Sequence, residues 1–110
     1  MSYSGYMKKK IIFLLAFILL YLVGSSFIAL ADDLQDGLYS YDAGEYDSAQ
    51  KSLFPLAEQG NAIAQLILGS MHELGKGVQQ DYSEAAKWYK LSAEQGNAGA
   101  QNLLGLFFEK

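Results

Sequence analysis

Ala57-Glu58-Gln59-Gly60-Asn61-Ala62 recurs letter for letter as Ala93-Glu94-Gln95-Gly96-Asn97-Ala98, a period of 36 residues. The same register pairs Tyr46 with Tyr82, Ala49 with Ala85, Lys51 with Lys87, Ala64-Gln65 with Ala100-Gln101, and Leu68-Gly69 with Leu104-Gly105. Self-similarity at a period of about 20 to 50 residues marks a stacked repeat protein. Each unit is too small to hide its apolar face alone and does so against its neighbour. A chain built this way has no inherent active site and offers a surface instead.

The first third is different in kind. Lys8-Lys9-Lys10 precede an uninterrupted apolar run over residues 11–23, then Gly24-Ser25-Ser26 weakens the helical tendency ahead of Ala29-Leu30-Ala31. A basic stretch, an apolar stretch and an A-x-A site make an export signal over residues 1–31, with Met7 as a second possible start. The alternative is an uncleaved anchor in the inner membrane, since residues 11–31 carry no charge and reach across about 30 Å of hydrocarbon. Either way the lysines stay in the cytoplasm and the remainder crosses, so the expected location is periplasmic or secreted, or membrane-anchored by residues 11–31.

Residues 32–110 carry twelve Asp and Glu against five Lys and no Arg, a net charge of −7. That sign disfavours nucleic acid and anionic membrane surfaces as partners, because both require a basic face. With no Cys the chain has no disulfide, thiolate metal site or thiol nucleophile.

From Asp32 the pattern is that of helix pairs. Leu34, Leu38 and Tyr41 fall on one stripe of a first helix ending near Gly44. A second runs over residues 46–59 with Ala49, Leu53, Leu56 and Ala57 inward, and Pro55 predicts a kink or break near residues 52–55. Gly60 closes that helix and Asn61 opens the next, which is apolar around most of its circumference over residues 61–74 and is therefore expected in the middle of a stack. Gly69 inside it predicts close approach of another backbone, and Gly105 sits at the equivalent place. Asp81 and Glu84 form a capping box for a fourth helix whose apolar face is read as Tyr82, Ala85, Ala86, Tyr89 and Ala93, with Lys90 and Glu94 outside. A last helix starts at Asn97.

Ala64-x3-Leu68-Gly69, then Gly75-Lys76-Gly77-Val78, Asp81, Ala85-Ala86-Lys87-Trp88-Tyr89 and Ala93-Glu94-Gln95-Gly96, resembles the Sel1-like repeat of the tetratricopeptide-like superfamily. The resemblance covers an opening repeat over residues 33–59, a full repeat over 60–95 and a partial one over 96–110. It implies an all-α solenoid, a right-handed superhelix of antiparallel helix pairs with about two and a half repeats, acting as an adaptor for a protein or peptide partner. It brings no catalytic residues and no cofactor. His72 and Phe108 stand where the family pattern has Tyr. Cysteine-rich relatives to which β-lactamase activity is attributed are stapled by disulfides, which this chain lacks; an envelope hydrolase is the alternative from another class, and a truncated remnant of a longer array is a third.

Candidate chemistry is thin. His72 and Glu73 are adjacent on a helix and point about 100° apart, so they do not converge on a metal. Ser70 and Ser83 have no nucleophile elbow, and Gly75-Lys76-Gly77 lacks the spacing and the following Ser/Thr of a phosphate loop. Asp32, Asp33 and Asp36 lack the glycine and terminal glutamate of a calcium loop. Trp88-Tyr89 and Phe107-Phe108 read as packing residues between consecutive helices rather than a cation cage. What stands out is the apolar stretch Leu103-Leu104-Gly105-Leu106-Phe107-Phe108 with no helix after it to cover it. Leu104, Phe107 and Phe108 are the candidate partner-binding residues, for self-association or for a partner's amphipathic helix.

Overall fold

The structure is a computed structural model that describes residues 3–109, with side chains over 5–25 and 29–106. The described residues form five helices and no strand: α1 Tyr3–Asp42, α2 Tyr46–Glu58, α3 Ala62–Leu74, α4 Tyr82–Glu94 and α5 Ala98–Glu109. The chain divides into two compact units, Met1–Ala31 and Asp32–Lys110.

In the first unit residues 11–23 are exposed throughout. The backbone stays helical through Gly24, Ser25 and Ser26, and Ser25 turns its hydroxyl back to the Leu22 carbonyl at 3.2 Å. The helix is long and apolar enough to cross a membrane, a property that signal sequences and anchors share.

In the second unit each helix packs on the next: α2 on α3, α3 on α4, α4 on α5. Short connections make consecutive helices antiparallel neighbours. The inward face of α2 is Ala49, Leu53, Leu56 and Ala57, the four residues that helical spacing selects. With Ala64, Leu68, Met71 and Trp88 they make one core. Burying side chains the size of Leu53, Leu68 and Met71 contributes about 1.5–3 kcal/mol each.

The repeated junction keeps the same pair of closing hydrogen bonds. Gly60, at φ 98°, donates to the Ala57 carbonyl and Asn61 to that of Leu56; Gly96, at φ 88°, donates to Ala93 and Asn97 to Ser92. This is a Schellman closure, which needs a residue able to sit in the left-handed region. Each asparagine then opens the following helix, Asn61 Oδ1 accepting from Ala64 N–H and Asn97 Oδ1 from Ala100 N–H, both at 2.9 Å.

Three expectations need correction. Pro55 causes no break: α2 runs through it, because Pro55 and Lys51 are both exposed and water can serve the Lys51 carbonyl that loses its donor. The capping box at Asp81 is half-formed. Asp81 Oδ1 does accept from Glu84 N–H at 3.1 Å, but the Asp81 N–H is taken by the His72 carbonyl at 2.9 Å, and Glu84 turns to Lys87 at 3.7 Å instead. The buried face of α4 is Ala85, Trp88, Tyr89 and Ser92, whereas Tyr82 is 58% exposed.

Candidate functional site

The contact between α3 and α4 is built on Gly69. A Cβ at that position would lie 2.5 Å from the Tyr89 ring, so the close approach is made by an aromatic ring and not, as the sequence suggested, by a backbone. The Tyr89 hydroxyl donates to the Glu73 carboxylate at 2.6 Å and receives a bond from the Ser70 hydroxyl at 3.2 Å. Burial, reinforced by the bond to Glu73, pushes the Tyr89 phenol well above its ordinary range.

Two more polar contacts complete the seam. Ser92 Oγ donates to the Ala62 carbonyl at 2.6 Å. Gln65, buried, donates its amide to the Ala57 carbonyl at 3.0 Å and accepts from the Gln95 amide at 2.8 Å. So Tyr89 and Ser92 on α4 and Gln95 at its C-terminal cap, spaced by three, engage Gly69, Ala62 and Gln65 on α3.

A simpler seam of the same kind joins the last part of α1 to α2. There a Cβ on Gly37 would fall 2.6 Å from the Leu53 side chain, and Leu53 precedes Tyr89 by the 36-residue period.

Shifted by the same period, the α3 half of the seam reappears on α5 as Ala98, Gln101 and Gly105. Ala98, Gln101 and Gly105 are exposed, and among the described residues an added Cβ at Gly105 meets nothing within 4 Å. Gln101 donates to the Ala93 carbonyl at 3.1 Å, as Gln65 does to Ala57. Leu103 and Leu104 are half-buried and Leu106 is 58% exposed. Of the residues singled out from sequence, Leu104 thus lies on the flank of this face, while the side chains of Phe107 and Phe108 lie outside the described residues. Gly105, Gln101 and Leu106, exposed on α5, were not among the candidate partner-binding residues, although the 36-residue register pointed to the first two.

The other candidates lie elsewhere in the repeat domain. His72 is half-buried on α3 and gives its carbonyl to Asp81; its Nδ1 is buried without a hydrogen-bond partner among the described residues. Glu73 is committed to Tyr89. Ser83, Asp32, Asp33 and Asp36 are exposed. Gly75 takes φ 68° at the end of α3 and Gly77 φ 74°, which makes their loop a turn. Gly77 sits against Tyr46, whose ring also lies under Lys76 Nζ at 5.3 Å, and the adjoining open cleft of about 410 Å³ is lined by Gly44, Glu45, Tyr46, Asp47, Ser48 and Gly77. Trp88 is in the core, with Phe54 edge-on at 6.2 Å.

The comparisons agree with this architecture. Residues 62–97 match the family model described as Sel1 repeat. Among solved structures, a Sel1 repeat protein from Oxalobacter formigenes superposes with a TM-score of 0.67 at 37% identity over 71% of this chain. The match spans 31% of the length of that protein. Comparison with curated proteins gave no match. The glycine-centred seams, the repeated Gly-Asn junction and these two likenesses place the chain in the Sel1 repeat family, as a tetratricopeptide-like α/α solenoid.

Proposed function

We propose that this chain is an exported, non-catalytic adaptor whose repeat domain holds a protein or peptide partner through Leu104, Phe107 and Phe108. The observation that carries the reading is the α5 face itself: it repeats the side of α3 that buries α4, yet Gly105 and Leu106 stand open. Sel1 repeats in general serve as scaffolds for protein interaction, and an acidic domain in which no metal-holding cluster stands among the described residues suits that role. Export follows from the basic, apolar and A-x-A order of residues 1–31, with cleavage after Ala31.

The test is affinity capture from envelope extract, comparing the chain with its Leu106→Asp variant. Leu106 is far enough exposed that the change leaves the core intact, which circular dichroism verifies. A protein retained by the parent and lost by the variant supports the adaptor. Equal capture by both, or turnover of a chromogenic β-lactam by the purified chain, contradicts it.

A further inference from the structure

Asp32, Asp33 and Asp36 are exposed inside α1, and none makes a side-chain hydrogen bond or ion pair among the described residues. Aspartate suits a helix interior poorly, because its short carboxylate competes for backbone donors. At a helix start it is among the best residues. The stretch that follows belongs to the repeat core: Leu34 and Tyr41 pack against it, and Gly37 is buried, with Leu53 2.6 Å from where its Cβ would stand. The boundary between the two compact units falls between Ala31 and Asp32, the same bond at which the A-x-A pattern ends.

We infer that Asp32 is a latent N-cap, unused in the intact chain and engaged when the bond after Ala31 is cut. The inference rests on the export reading and concerns what processing does to the fold. An α-helix bonds each N–H to the carbonyl four residues before it, so cleavage removes the acceptors of the Asp33, Leu34 and Gln35 N–H groups. It also leaves an ammonium on Asp32, at the positive end of the helix dipole. Asp32-x-x-Gln35 has the spacing of a capping box. The Asp32 carboxylate accepts from Gln35 N–H, three residues on, as Asn61, Asp81 and Asn97 accept from Ala64, Glu84 and Ala100. Asp33 and Asp36, in the first turn, set negative charge against the dipole and the new ammonium. The helix of residues 32–42 is closed at its new end and stays packed on Leu53, so the repeat domain is released with its first helix formed.

The experiment takes the full chain in detergent micelles, before and after digestion with signal peptidase in the same micelles, and follows Trp88 fluorescence through a urea titration. In the digested chain Asp32→Ala is expected to lower the folded-to-unfolded ratio about fivefold, the usual effect of a lost cap. In the intact chain, where Asp32 caps nothing, the same substitution should not lower it. Asp32→Asn, an equally good cap, should match the parent in the digested chain. A loss of equal size in both forms, no loss in the digested chain, or a loss that Asp32→Asn shares overturns the inference and leaves the export reading standing. A chain that the peptidase leaves whole, or cuts at another bond, is recognised by its mass; that result overturns the cleavage site and the inference together.

Discussion

Gly69 and Gly105 occupy the same place in the 36-residue register and should respond to the same substitution with opposite signs. Alanine is a better helix former than glycine by about 1 kcal/mol. At Gly105 that gain stands alone, so Gly105→Ala should stabilise the chain by up to about 1 kcal/mol. At Gly69 the new methyl meets the Tyr89 ring, which is fully buried and has no room to retreat, and overpacking of this kind costs about 1–3 kcal/mol. Gly69→Ala should therefore be destabilising on balance. Urea titration read from Trp88, the single tryptophan and a core residue, measures both. Tyr89 adds a pH signature. Its phenol is held protonated in the fold beyond the range where an unfolded tyrosine ionises, so the folded state binds its proton more tightly and stability falls as pH rises above about 10. Tyr89→Phe should cost about 1 kcal/mol at neutral pH through the lost bond to Glu73 and flatten that alkaline decline. An alkaline limb unchanged in the variant would contradict the assignment.

At the scale of helices, the ends were more legible in the sequence than the faces. Gly60, Asn61, Gly96, Asn97 and the first half of the Asp81 cap are local devices, fixed by residues within five positions, and all are formed. Asn61→Ala and Asn97→Ala should each cost about 1 kcal/mol in the same urea titration, with Asn61 the larger because its helix is packed on both sides. What sequence reasoning misplaced depends on hydrogen-bond partners that helical spacing does not reveal. The second half of the Asp81 box lost to a carbonyl nine residues back, on His72. Ser92 was passed over on α4 because a serine scores as polar, yet its hydroxyl closes on the Ala62 carbonyl and is buried by that bond. Tyr82 scored as apolar and is exposed, its phenol accepting from the Gln80 amide at 3.0 Å. The candidate face divides the same way. Its location on α5 and its glycine follow from the repeat, whereas the exposure of Leu106 emerges only from the structure.

For the whole molecule, the repeat fixes both what the domain can hold and how it holds itself. From α2 onward each helix packs on the next, and α3 gives one face to α2 and another to α4. The adaptor reading grows from the exposed residues Gly105 and Leu106 on α5. Residues 1–31 carry the other whole-molecule claim, that the acidic repeat domain is delivered across a membrane and released. Intact-mass analysis of the protein recovered from the envelope should find a chain starting at Asp32. Recovery in the membrane fraction with residues 11–31 attached makes them an anchor instead.

The stacking itself is tested most directly by nuclear Overhauser contacts between the Tyr89 ring and the α-protons of Gly69, read on the chain labelled selectively at tyrosine and glycine. The account predicts strong cross-peaks to Gly69, with its α-protons shifted by the ring current, and none from that ring to Gly105. Missing Gly69 cross-peaks in a chain that is otherwise helical would mean that the 36-residue period does not stack, and the open face on α5 would lose its meaning with it.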